Sequence, residues 1–253
     1  MINRKLVCCL LLGLPIYLCA CWQGKESGSA KKKGEPSVLS AVSDTSTSIH
    51  HGDALIPDFN LNEFLEVYNY QVQYIDSGYI NQDNFKDKVL VLQANRDEGK
   101  YLPRSAIILL GKKNGFSIFS ESKTIMPAEY NGDGYKQFDT ETVKIEEGKV
   151  SFDLYAVGPN GHIYFDYAWK DGRMTLHELT GYFMGAGSHS SFTYLATTEG
   201  KGTVKEILIH TMDEDMPSEN ATWPIQLKSA TSFEHFDYNE CLQEIVQQSS
   251  LED

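Results

Sequence analysis

The chain is poor in basic residues, in cysteine and in long apolar runs. It has 22 Lys and Arg against 35 Asp and Glu, a formal charge of −13. Nucleic-acid binders need basic patches that neutralise phosphates, so this balance argues against nucleic acid as a partner. The same acidity repels anionic lipid and steers a basic protein toward the surface. Of five cysteines, Cys8, Cys9, Cys19 and Cys21 lie in the first 21 residues, and only Cys241 lies beyond them. A domain downstream therefore has no intrachain disulfide and must rest on its apolar core. The longest apolar stretch, Leu6 to Leu18, is interrupted by Gly13 and Pro15 and falls short of the roughly 20 residues that span a bilayer.

Catalytic signatures are also missing. There is no phosphate loop, dinucleotide fingerprint or Gly-x-Ser-x-Gly elbow. His177-Glu178 begins like the H-E-x-x-H of zinc proteases, but Gly181 stands where the second His is needed and the segment alternates as a strand. Ser188-His189 reads as a polar loop, and His50-His51 has no further ligands nearby. The expectation is a protein that is not an enzyme.

The start of the chain carries the clearest signal. Arg4 and Lys5 precede the apolar run, and Leu18-Cys19-Ala20-Cys21 closes it, the layout of a signal peptide. Leu18-Cys19-Ala20-Cys21 resembles the lipobox of bacterial lipoproteins, whose cysteine is lipidated and becomes the first mature residue. Cleavage before Cys21 places small Ala20 at −1, whereas cleavage before Cys19 would place bulky Leu18 there. An ordinary secretory signal cut after Ala20 would leave the same cysteine as a free thiol. The resemblance implies a diacylglycerol thioether and an amine-linked acyl chain on Cys21. At about 0.8 kcal/mol per buried CH₂, three chains make release from the membrane negligible. In the enterobacterial version of the family it resembles, Trp22 rather than Asp after the cysteine implies passage to the outer membrane, facing the periplasm. Loss of Arg4 and Lys5 with a leader that contains no acid takes the charge from −13 to −15.

Residues 1–20 thus read as the signal peptide, and 21–56 as the lipidated cysteine with its linker. Trp22 to Ile56 is rich in Ser, Gly, Thr and Lys and cannot bury enough surface to offset its ordering entropy. As a flexible coil it spans about 30–35 Å, and Lys31-Lys32-Lys33 within it reads as a solvated charge run.

Residues 57–253 read as a single, mainly β domain. A helical turn around Leu61 and Phe64-Leu65 is followed by alternation of Tyr68, Tyr70, Val72 and Tyr74, a half-buried strand. Val89 to Leu92 and Ala106 to Leu110 are continuous apolar runs, as in central strands buried on both faces. Asn114-Gly115 turns the second into Phe116 to Phe119. Strands over 142–146, 150–156, 163–169 and 174–183, joined by Glu147-Gly148, Gly158 to Gly161 and Asp171-Gly172, form an antiparallel meander, the unit of a propeller blade. Strands over 191–197 and 203–211 come next. Tyrosines on outward strand faces, Tyr164 among them, suit a binding surface because they bury area at low entropic cost. Asn239 reads as the cap of a short C-terminal helix that places Cys241, Leu242, Ile245 and Val246 on one face. The fold class is mainly β, of antiparallel meanders, propeller-like, with a short C-terminal helix.

Gly78-Tyr79-Ile80-Asn81-Gln82-Asp83-Asn84-Phe85-Lys86-Asp87, running into Val89 to Leu92, resembles an FG-GAP-type repeat. The order continues through Arg104 to Leu110, Phe116 to Phe119, Asn131-Gly132-Asp133-Gly134, Trp169 to Arg173 and Tyr194 to Gly200. It is similar to a group of propeller-like bacterial lipoproteins, some of them periplasmic immunity proteins that inhibit a secreted cell-wall hydrolase. That resemblance implies a calcium loop in which Asn81, Asp83 and Asp87 match ligand positions. Tyr79 stands where the first Asp belongs and Asn84 replaces a Gly, which favours a hydrogen-bonded turn over calcium; Asn131 to Gly134 reads likewise. No other cofactor is implied. The expected function is an outer-membrane-anchored protein-binding module, with inhibition of a cell-wall hydrolase as its specific form and a basic periplasmic protein as its partner. An envelope-maintenance lipoprotein without enzymatic activity is the alternative.

Cys21→Ser is expected to abolish incorporation of a fatty-acid analogue in metabolic labelling. Equal incorporation in both proteins would remove the anchor.

Overall fold

The structure is a computed structural model that describes residues 59–249, apart from 82 and 159; the signal segment, Cys21 and the linker lie outside the described residues. Asn60 caps the first helix, α1 (Leu61–Tyr68), accepting the backbone N–H groups of Asn62 and Glu63 at 3.1 and 3.3 Å. Asn69 ends it in the left-handed conformation at φ 52°, which Asn tolerates better than most residues. Tyr68, expected to open a strand, is therefore the last helical residue.

The helix leads into four strands: β1 (Tyr70–Gly78), β2 (Asp87–Ala94), β3 (Arg104–Lys112) and β4 (Gly115–Met126). They pair antiparallel in sequence order. Alternate residues of β2 and β3 enter different cores. Leu90, Leu92, Ile107 and Leu109 pack with Phe64 and Leu65 of α1. Val89, Val91, Ala106 and Ile108 join a larger core on the other face. Burial on both faces is why these two strands read as continuous apolar runs.

β1 does not alternate as its sequence suggests. Its register with β2 shifts between Val72 and Tyr74, and the extra residue, Gln73, reverses the facing of the rest of the strand. Tyr70 and Val72 pack toward α1, whereas Tyr74 packs against the larger core.

The second sheet contains β5 (Thr140–Glu146), β6 (Lys149–Tyr155), β7 (His162–Lys170), β8 (Arg173–Met184), β9 (Ser188–Thr198), β10 (Lys201–His210) and β11 (Ser218–Gln226), again antiparallel neighbours in chain order. Glu147-Gly148 has φ of 52° and 76°, and Asp171-Gly172 has 50° and 78°. Both turns thus have the paired positive φ of tight hairpins whose twist matches their strands. The expected meander over β5–β8 is present, but it runs on without a break to β11. Among the described residues the strands form these two sheets and no closed barrel or propeller. β11 is polar and exposed over its first five residues, alternates only at Trp223 and Ile225, and contains Pro224, which its place at the sheet edge tolerates.

Inward residues of β5–β10 (Val143, Phe152, Phe165, Leu179, Tyr194 and Val204 among them) share the larger core with β2 and β3. The chain after β11 completes it. Phe233 and Phe236 lie 5.4 and 5.8 Å from the ring of Tyr167, both edge-on. The second helix, α2 (Tyr238–Ser249), buries Cys241, Leu242 and Ile245. Gly181 lets α2 approach, since a Cβ there would meet Leu242 Cδ2 at 3.0 Å. The cap is Asp237 rather than Asn239: its carboxylate accepts the N–H groups of Asn239 and Glu240 at 2.8 and 3.4 Å. Val246, expected on the apolar face, is exposed.

The two sheets meet along β1 and β5. Asp76 accepts the backbone N–H of Ile145 at 2.7 Å. Deeper in the seam, the Arg104 guanidinium grips the Glu141 carboxylate with two bonds of 2.6 and 2.7 Å, both side chains fully buried.

Burial raises Tyr194 and Tyr238 to about 12, and Tyr74 likewise with help from the neighbouring Glu141 charge. Burial, then the charges of Glu244, Asp237 and Glu240, raises the Cys241 thiol to about 12. The unfolded chain releases these protons near about pH 8.5 for Cys and about pH 10 for Tyr. All four native values are raised, so their contribution is whole below the unfolded values and is lost as pH climbs through 12. Urea unfolding should therefore show stability falling steadily from about pH 9 upward. Cys241 should stay unlabelled by iodoacetamide at neutral pH until the domain unfolds. Stability unchanged to pH 11, or rapid labelling of the folded protein, would contradict this packing.

Candidate functional site

The inner face of the seven-stranded sheet is committed to the core, and its outer face is polar and aromatic. Strand alternation sends Lys149, Ser151, Asp153 and Tyr155 of β6 outward, with His162, Tyr164 and Asp166 of β7. Register then assembles an aromatic belt at one end of this face. Tyr155 pairs with His162, and His162 with Tyr182; His189 lies diagonally next to Tyr182, beside the Tyr182–Ser191 pair. The Tyr155 and His162 rings are 5.7 Å apart at 70°, and those of Tyr182 and His189 are 5.8 Å apart at 83°.

Polar bonds hold the belt in place. Asp153 Oδ1 lies 2.7 Å from His162 Nε2, and Tyr182 Oη lies 2.8 Å from His189 Nδ1. Thr180 donates to Glu178 at 3.1 Å and is 3.1 Å from the Thr193 hydroxyl. Tyr155 is 42% exposed and the other three are half-buried. These are large, rigid side chains whose rotamers are already chosen, so contact with a partner costs them little further entropy.

Below the belt lies a polar knot. Lys149 Nζ donates to Asp166 Oδ2 at 2.9 Å, and the Tyr164 hydroxyl donates to the same oxygen at 3.2 Å. Asp166 is only 1% exposed. Burial pulls the Lys149 ammonium down, but the Asp166 bond and charge, with Tyr164 and Glu178, outweigh it and leave the group raised. Tyr164 is raised by burial and, against a Ser151 hydrogen bond, by Asp166 and Glu178. The knot is a charge-neutral support that keeps Tyr164 protonated and fixed.

The loop residues singled out by resemblance have other work. Asp87 is fully buried, and its two oxygens accept the backbone N–H groups of Ile80 at 2.8 Å and Gly111 at 2.9 Å. It staples the loop before β2 to the end of β3. Asn81 accepts the N–H of Asp83 at 3.1 Å, and Asp83 accepts that of Phe85 at 2.8 Å and the Asn81 amide at 2.9 Å. These oxygens satisfy the turn itself, so the residues present do not fit a calcium cage. Among the described residues no three His, Cys, Asp or Glu side chains are grouped to hold a metal ion. In the Asn131 to Gly134 turn, Asn131 Oδ1 accepts the N–H groups of Asp133 and Tyr135 at 3.1 and 2.9 Å.

His177 lies at the register irregularity of β8, where Glu178 faces Asp166 and Leu176 faces Tyr167. The segment is strand, not helix. Ser188 and His189 open β9 rather than forming a loop, and His189 enters the belt. Tyr164 faces outward, as alternation predicts. The belt as a unit is not visible in sequence, because its members come together only through the register of four strands. Cys21 and the His50-His51 pair lie outside the described residues. No family model, curated protein or solved structure matches this chain.

Asp87→Ala is expected to destabilise the domain by about 1–3 kcal/mol for each buried amide left without a partner. Asp83→Ala, at an exposed turn, should cost about 0.5 kcal/mol. A ligand at 100 times its Kd would add about 2.7 kcal/mol, so melting curves in chelator and in millimolar calcium should superimpose. A large rise of Tm in calcium would contradict the turn reading.

Proposed function

We propose that this chain is a lipid-anchored protein-binding module of the bacterial envelope, tethered through Cys21, that captures a basic periplasmic protein on its β domain. Inhibition of a cell-wall hydrolase is the specific form of this reading. That form draws on the resemblance of strand order to propeller-like immunity lipoproteins.

The observation that carries the reading is the belt of Tyr155, His162, Tyr182 and His189. An outward sheet face could be uniformly solvated with charges and Thr. This one instead carries two ring pairs, Tyr155–His162 and Tyr182–His189, with His162 also bonded to Asp153 and Tyr182 bonded to His189. Tyrosine is enriched in protein interfaces because it combines large apolar area with a polar tip. The excess of 35 acidic over 22 basic residues accelerates encounter with a basic partner and does so in a salt-dependent way.

A chain beginning near Pro57 should capture its partner from envelope extract with full affinity, and the association rate should fall steeply as ionic strength rises. Tyr182→Ala should weaken capture by about tenfold or more, as expected of an aromatic anchor. Failure to capture at low salt, or a need for residues 22–56, would count against the reading.

A further inference from the structure

A second surface lies where the β2–β3 connection approaches the β4–β5 connection. Two clefts of about 400 and 430 Å³ flank Tyr130, which lines both. The first also takes in Tyr101, Pro103, Pro127, Asn131 and Asn239. The second takes in Gln71, Gln93, Asn95, Lys100 and Glu129.

The walls are built rather than loose. Gly99 begins a single 3-10 turn (Gly99–Tyr101), and a Cβ at Gly99 would sit 1.9 Å from the Ala94 carbonyl oxygen, so no other residue fits. The Tyr130 N–H donates to the Lys100 carbonyl at 3.0 Å, clamping the two connections together. Lys100 Nζ lies 5.1 Å from the Tyr101 ring and 5.0 Å from the Tyr130 ring, which are 6.3 Å apart at 64°. Across the second cleft runs a relay: Gln71 Nε2 donates to Gln93 Oε1 at 2.9 Å, and Gln93 Nε2 to Glu129 Oε2 at 3.2 Å. The relay leaves the Gln71 carbonyl oxygen and the second Glu129 oxygen as acceptors. In the first cleft the Asn131 carbonyl oxygen is taken by the turn, which leaves its NH₂ as a donor.

Three features define the ligand. The lining charges cancel, with Arg96, Lys100 and Lys123 against Asp97, Glu129 and Asp237. The specific contacts come from side-chain amides, which both donate and accept and so match hydroxyl groups. In the first cleft Tyr101, Tyr130, Pro103 and Pro127 supply apolar surface beside them, and Tyr130 carries it to the edge of the second. An uncharged molecule with hydroxyl edges and apolar faces, long enough to pass Tyr130 from one cleft to the other, meets all three. We propose that this paired cleft binds a neutral oligosaccharide. The site shares no residue with the belt.

The test uses the full chain, purified in detergent, on a printed array of neutral, acidic and basic oligosaccharides. Neutral oligosaccharides longer than a monosaccharide should be retained, with Tyr130→Ala binding roughly tenfold more weakly, a loss of about 1.4 kcal/mol. Gln71→Ala, an exposed substitution that spares the fold, should also weaken retention, and Tyr182→Ala in the belt should leave it unchanged. Retention of acidic sugars only, no retention of any neutral sugar, or wild-type binding by both cleft variants would overturn the proposal.

Discussion

The Arg104–Glu141 pair is the constraint on which this fold turns. Arg104 belongs to β3 in the smaller sheet and Glu141 to β5 in the larger, so the bond is made only when the sheets dock. Both side chains have no exposure, and removing two charges from water costs several kcal/mol per ion unless every donor and acceptor finds a partner. The surrounding residues meet most of that demand, with four of the five guanidinium N–H groups bonded. Arg104 Nε donates to the Pro127 carbonyl at 2.7 Å and Nη1 also to Gln73 Oε1 at 2.8 Å, while Tyr74 donates to Glu141 at 3.0 Å. The bulge at Gln73 is what allows Gln73 and Tyr74 to reach the pair. A regular strand would leave Tyr74 on the same face as Tyr70 and Val72, against α1.

The pair reaches beyond the seam. Pro127 begins the connection that carries Tyr130 and Asn131, so the Arg104 bond to its carbonyl fixes one wall of the paired cleft. The smaller sheet, the larger sheet and the cleft wall therefore converge on one buried charge pair. The aromatic belt depends on it less directly, because β6–β9 take their register from their own hairpins, Asp171-Gly172 among them.

Features with a local physical cause are legible in the sequence. Alternation locates β6–β8, and continuous apolar runs identify β2 and β3 as doubly buried. Positive-φ turn residues mark the hairpins, and Cys241 reads as a core thiol. Features made by long-range pairing are not legible. Arg104 and Glu141 are polar residues at strand ends, with nothing local to distinguish them from solvated charges. β11 gives little signal because only Trp223 and Ile225 alternate in it, and an edge strand tolerates both a polar first half and a proline. Asp87 looks like a metal ligand because a carboxylate that accepts backbone amides occupies the same loop position as one that holds an ion. Alternation places Tyr164 outward, but the belt beside it is assembled from strands whose register no single segment encodes. The blade-like meander is legible strand by strand but not in its extent, since nothing in β8 stops the sheet from growing.

The central claim is that one buried, multiply bonded pair holds the two sheets in register. A double-mutant cycle on Arg104→Met and Glu141→Leu, read by urea unfolding, tests it most directly. Each single change should cost about 3–5 kcal/mol, because it strands the other charge in the core, while the double change should cost much less than their sum. Small and additive losses would show that the sheets are held by apolar packing alone and that the pair is incidental.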